Sequence, residues 1–157
     1  MNRLDIIDKL YFMLFEGELE RVDKILRNVI KERENDFRAW LLLSMVKLRL
    51  HEAEKALDAI NKALELNENS MEAWFLKSKI LNVLGEYQEA LDAINKAIEI
   101  SMMQDDYEDP ELLTEKASIL VNLNRRNEAK GLIEKVLDVN PYDPDALELK
   151  KILEDVE

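Results

Sequence analysis

The chain of 157 residues has no cysteine, one histidine, three glycines and three prolines. Without cysteine there is no disulfide framework, thiolate nucleophile or thiolate metal site, and His51 alone cannot build a multi-histidine centre. So few turn formers exclude an all-β or doubly wound α/β domain, which needs many more of them to reverse its direction. Basic residues are also scarce, 22 against 34 acidic ones, for a net charge of −12. That balance repels a phosphate backbone, and no basic stripe with interleaved aromatics is evident, so neither nucleic acid nor a membrane surface is an expected partner.

Long apolar runs are missing too, so no segment reads as a membrane span. The apolar N-terminal stretch is interrupted by Asp5, Asp8 and Lys9 at helical spacing, unlike a secretory leader. With 47% hydrophobic residues the chain can still bury a core. These bounds describe a soluble, cytoplasmic, helical protein of one domain.

What the chain does have is repetition. The segment from Ala56 to Leu66 returns 34 residues later as Ala90 to Ile100, changed only at Leu64/Ile98 and Leu66/Ile100. The same offset joins Trp40 to Trp74 and Ala39 to Ala73, which sets repeats at 3–36, 37–70 and 71–104. A fourth, 110–143, follows from matching Ala129, Ile133 and Val136 to Ala90, Ile94 and Ala97, and it leaves 105–109 as an insertion. Residues 144–157 form a final half-unit. Each repeat carries two helical periods of apolar residues, so each is a helical hairpin. Gly17 and Gly85, with His51 in the equivalent place, mark the turn between helices. Asp36, Ser70, Asp109 and Asp143 precede first helices as N-caps, two of them just before Pro110 and Pro144.

A 34-residue helix–turn–helix with Trp40 or Trp74 near its start, Ser44 or Ser78 at the eighth place, Ala56 or Ala90 at the twentieth and Ala63 or Ala97 at the twenty-seventh resembles the tetratricopeptide repeat. The fourth unit keeps Ala117, Leu120, Ala129, Ile133 and Pro141, whereas the first is degenerate, with Leu10, Val22 and Val29 at the small-residue places. The resemblance implies an all-α fold, a right-handed superhelical solenoid of antiparallel helix hairpins in a single domain. The small residues let paired helices approach closely while the tryptophans fill the space beside them. Helix 144–157 reads as a solvating cap with Leu147, Leu149, Ile152 and Leu153 on one strip, and Asp5 and Glu16 finish the other end.

In this family the first helices line a concave groove, and the resemblance implies that the second, fifth, ninth and twelfth places face it. Those are Leu4, Ile7, Tyr11 and Leu14; Arg38, Leu41, Met45 and Leu48; Glu72, Phe75, Lys79 and Asn82; and Glu111, Thr114, Ser118 and Val121. The first two sets are largely apolar, which marks an interaction site unless neighbouring helices of the chain itself cover it. The first helix of the second repeat also holds Arg38, Lys47 and Arg49 and no acid. The expected function is therefore a non-catalytic scaffold for a peptide or protein segment with apolar anchors, its acidic group reaching Arg38, Arg49 or Lys79. The alternative is a structural protein that forms a homodimer through its apolar N-terminal repeats.

A chaperone-type carboxylate clamp is not expected, because the matching places are Ile7, Tyr11, Leu42, Glu72 and Leu76. The acidic insertion Asp105 to Asp109 lacks the alternating ligands and glycine of a calcium loop and reads as a solvated loop that extends or offsets the preceding helix. No nucleophile with a base, phosphate loop or metal constellation is apparent, so no enzyme activity, cofactor or metal is expected.

Overall fold

The computed structural model describes residues 5–155; Leu4 and the last two residues of the expected capping helix lie outside them. The described residues form nine α-helices and no strand: α1 (Ile6–Phe15), α2 (Leu19–Glu32), α3 (Phe37–Arg49), α4 (Ala53–Leu66), α5 (Met71–Leu84), α6 (Tyr87–Asp105), α7 (Pro110–Asn122), α8 (Arg126–Val139) and α9 (Pro144–Glu154). Pairs α1/α2 to α7/α8 are the four hairpins and α9 is the closing helix, so the all-α solenoid expected from the period is present. Within it the chain divides into two compact units, one ending at Leu76 and the other beginning at Lys77.

Helix starts follow the capping residues. Asp36 accepts from the Ala39 N–H at 3.2 Å, Ser70 from Ala73 at 3.1 Å, Asp109 from Glu111 at 2.9 Å and Asp143 from Ala146 at 2.9 Å. Each satisfies a donor that the first helical turn leaves open. The hairpin turns share one backbone design. The N–H groups of Glu18, Glu52, Glu86 and Arg125 bond to the carbonyls of Met13, Lys47, Leu81 and Leu120, five residues back. This Schellman closure requires a left-handed residue just before each donor. Gly17 and Gly85 supply it at φ 82°, but His51 and Asn124 adopt it at 61° and 59°.

In the first unit, Ile7, Leu10, Leu14, Val22, Leu26, Leu42 and Val46 form one buried cluster. The close approach of α3 and α4 rests on Ser44, whose Oγ donates to the Ala56 carbonyl at 2.8 Å in a fully buried contact. In the second unit, Leu112, Ala117 and Leu120 of α7 are buried, as are Ala129, Ile133 and Val136 of α8. The tryptophans pin loops: Trp40 Nε1 donates to the Glu34 carbonyl at 2.7 Å and Trp74 Nε1 to the Glu68 carbonyl at 2.8 Å.

The insertion lengthens a helix rather than a loop. The connections 33–36, 67–70, 106–109 and 140–143 all have the same length, whereas α6 has 19 residues against 14 in α2, α4 and α8. It continues past Ile100 until Asp106 turns left-handed at φ 49°. On α9, Ala146 and Leu153 are buried but Leu147 and Ile152 are exposed, and α1 exposes Phe12 and Phe15.

Candidate partner-binding surface

The expected contact residues separate into three groups. Ile7 and Leu14 are at most 3% exposed, sealed in the core of the first unit, and Leu41 is 2% exposed. These three are not presented to a partner. In α1, Leu10 stands where later repeats have Ser44, Ser78 and Ala117, and it joins Ile7 and Leu14 in one buried cluster with Val22 and Leu26 of α2 and Leu42 of α3. Tyr11, Met45, Leu48 and Phe75 are half-buried, and Tyr11 and Met45 border the same core cluster. Burial pushes the Tyr11 phenol above its usual range, the Glu72 and Asp8 carboxylates add to this, and Arg38 opposes it.

The cations form the second group, and most are engaged within the chain. Arg38 is hydrogen-bonded to Asp8 and lies 3.9 Å from Asp5, which also pairs with Arg33 at 3.1 Å. Arg49 donates to the Leu14 carbonyl at 3.0 Å, which also accepts from the Gly17 N–H at 3.1 Å, so the guanidinium sits at the C-terminal end of α1. Lys47 is buried, 2.9 Å from Asp23 and 3.3 Å from Glu52. The basic run of α3 is therefore not an uncompensated patch awaiting an acidic ligand. Its counter-charges come from the preceding repeat and the following turn.

The third group lies in the second unit. Asn82 Nδ2 donates to Glu115 Oε1 at 3.3 Å and lies 3.4 Å from Ser118 Oγ, while its Oδ1 accepts from Asn122 at 2.8 Å. Lys79 stands 3.9 Å from Glu111. Burial raises the Glu115 carboxyl above the ordinary value of 4.5, against the lowering influence of Lys79 and Asn82. The Asn82 amide is thus occupied in fixing α7. Sequence reasoning missed Asp23, Glu115 and Asn122, whose types are unremarkable until their partners are seen.

His51 is an exposed turn residue. Among the described residues no group of three or more metal-donor side chains could hold an ion, and no helix is long and apolar enough to cross a membrane.

Paired helices closed on a serine or alanine, joined by a repeated turn, and presenting half-buried apolar side chains on first helices define a helical-repeat scaffold of the protein-interaction class. Residues 110–143 match the family model for the tetratricopeptide repeat, and residues 30–97 match that for anaphase-promoting complex, cyclosome, subunit 3. The chain belongs to the tetratricopeptide-repeat family. Among solved structures it is similar to MamA, with a TM-score of 0.80 at 18% identity over 98% of this chain and 85% of that one. It is also similar to YrrB, described as a TPR protein with an unusual peptide-binding site, at TM-score 0.77 and 21% identity over 93% and 75%. A chain of the APC/C hetero-tetramer Cut9-Hcn1 gives 0.84 at 17% identity over 94% of this chain and 29% of that one. No curated protein matches the chain significantly in sequence. At these identities the likeness establishes the fold.

Proposed function

We propose that the chain is a non-catalytic scaffold whose first unit holds a peptide or protein segment against the α1 and α3 face, with Phe75 of α5 as a further anchor. The observation that carries this reading is the half-burial of Tyr11, Met45 and Leu48 on first helices whose neighbours Ile7, Leu14 and Leu41 are sealed. Full burial of such a side chain contributes about 1.5–3 kcal/mol, and half of that is already realised here, so a few anchors support micromolar to millimolar binding. Arg49 stands at the rim. Because Arg38 is compensated by Asp8, an acidic group on the ligand is not required by α3. The peptide-binding site ascribed to YrrB supports the reading by analogy.

The test is a peptide-display selection on the full chain, followed by titration of the selected sequences. Met45→Glu and Phe75→Glu should each weaken them by roughly tenfold or more, with the helical circular-dichroism spectrum retained. Unchanged affinity in the double variant overturns the proposal.

One observation favours self-association as a second reading: Phe12 is 67% and Phe15 84% exposed, three residues apart on one side of α1. Light scattering should then show an oligomer that Phe12→Ser/Phe15→Ser converts to monomer. A wild-type chain that stays monomeric as its concentration rises removes this reading.

A further inference from the structure

The exposed face of α2 carries Arg21, Lys24, Arg27 and Lys31 at three- and four-residue spacing, which aligns them along one side of the helix. Arg21 pairs with Glu18 at 2.6 Å and Arg27 with Asp23 at 3.1 Å. Lys24 and Lys31 form no ion pair among the described residues. Glu20 and Glu32 flank the two ends of the stripe. Its middle borders a shallow depression of about 430 Å³, rimmed by Lys24, Arg27 and Lys31 and floored by Ile30, Trp40 and Leu43. The Trp40 N–H is already given to the Glu34 carbonyl, so the indole offers this depression carbon surface and no donor.

We infer that this face of the first unit is a second docking surface, separate from the α1 and α3 face, and that its occupant is an acidic peptide segment carrying one apolar side chain. Charge complementarity decides the sign of the ligand: Lys24 and Lys31, with no ion pair of their own among the described residues, face solvent beside Arg27, which is shared with Asp23, in a chain of net charge −12. The spacing decides its form. Lys24 and Lys31 stand two helical turns, about 10.5 Å, apart along α2. A polyproline II segment places every third side chain on the same side at intervals of about 9 Å, so carboxylates three residues apart reach both lysines while a residue between them enters the depression. A short segment also stays within the local positive field, because salt screens charges beyond about 8 Å at physiological ionic strength. A long polyanion or a lipid surface extends over Glu20, Glu32 and the acidic remainder of the chain and is repelled there.

The experiment is fluorescence anisotropy with the full chain and a fluorescein-labelled, capped peptide that has glutamate at every third position, prolines between and one central leucine. Binding should weaken roughly tenfold or more in Lys24→Glu/Lys31→Glu, and comparably when the glutamates are replaced by glutamine. It should persist in Lys62→Glu, which changes an exposed lysine on α4. All three positions are exposed, so folding is retained and verified by melting. Equal affinity in the Lys24→Glu/Lys31→Glu variant, no wild-type binding at about 1 mM, or tighter binding to a duplex DNA of the same charge overturns the inference.

Discussion

Ser101 Oγ donates to the Tyr107 carbonyl at 3.3 Å, doing for the fourth repeat what a tryptophan does for the second and third. Trp40 and Trp74 each reach the carbonyl six residues earlier, the second residue of the loop. In the fourth repeat the equivalent carbonyl is that of Tyr107, and the tryptophan's place holds Leu113, which has no side-chain donor. The extra turn of α6 supplies the missing hydroxyl. Ser101→Ala should therefore cost about 0.5–1.5 kcal/mol in urea denaturation. Faster amide exchange should accompany it in residues 106–109.

Lys47 and Asp23 form a buried charge pair where the third repeat places leucines. Leu81 occupies the place of Lys47 and Leu91 that of Asp23, and both are buried. No donor is aligned for a hydrogen bond on Asp23 Oδ1, although Lys47 Nζ lies 2.9 Å away. Lys47→Leu alone should cost about 3 kcal/mol, the low end for a broken buried pair because Arg27 still reaches the other Asp23 oxygen at 3.1 Å, whereas Lys47→Leu with Asp23→Leu should be neutral or stabilising by about 1–4 kcal/mol. Thermal melts of the two single variants and the double variant measure the coupling.

His51 occupies a left-handed position that glycine fills in two other hairpins. His51→Gly should raise stability by about 0.5–1 kcal/mol, since the relief of a side chain at positive φ exceeds the entropy glycine adds to the unfolded chain. Gly85→Ala should lower it by about 1 kcal/mol. A Cβ at Gly85 meets nothing within 4 Å, so this loss is one of backbone conformation rather than crowding. Urea midpoints decide both.

Glu115 makes stability depend on pH in the direction opposite to a salt-bridged carboxylate. Burial raises its folded-state value, so the native chain holds a proton that the unfolded chain has released. Stability therefore falls as pH rises from 4.5, the ordinary glutamate value, through the raised one, and stays lowered above it. Glu115→Gln, which keeps an acceptor for Asn82 without a charge to desolvate, should melt higher than wild type at neutral pH. The difference should vanish below the ordinary glutamate value.

Much of the fold is legible because its determinants are local. The 34-residue period, the caps at Asp36, Ser70, Asp109 and Asp143, and the turns at Gly17 and Gly85 all act within a few residues of themselves. What is not legible depends on residues far along the chain. Arg38 looks like a free cation until Asp8, thirty residues earlier, is brought beside it. Ile7 and Tyr11 look equivalent on the pattern, yet one is sealed and the other half-open, because inter-helix packing decides this and the period does not. The stripe from Lys24 to Lys31 is diluted in a repeat that is acidic overall, and it becomes a surface only beside Trp40 and Leu43. Sequence matching also places the insertion at 105–109, although the extra residues are spent on helix. Similarity can locate a length difference but not the element that absorbs it.

The longer α6 also has a kinetic meaning. Its last turn extends about 7.5 Å beyond the length of the other second helices, and Met102 and Met103 there are exposed. Few buried contacts hold such a turn, so it opens without disturbing the hairpin beneath it. In hydrogen-exchange time courses, amides 102–105 should lose protection well before those of Ala90 to Ala97, giving this repeat a latch that releases on its own schedule.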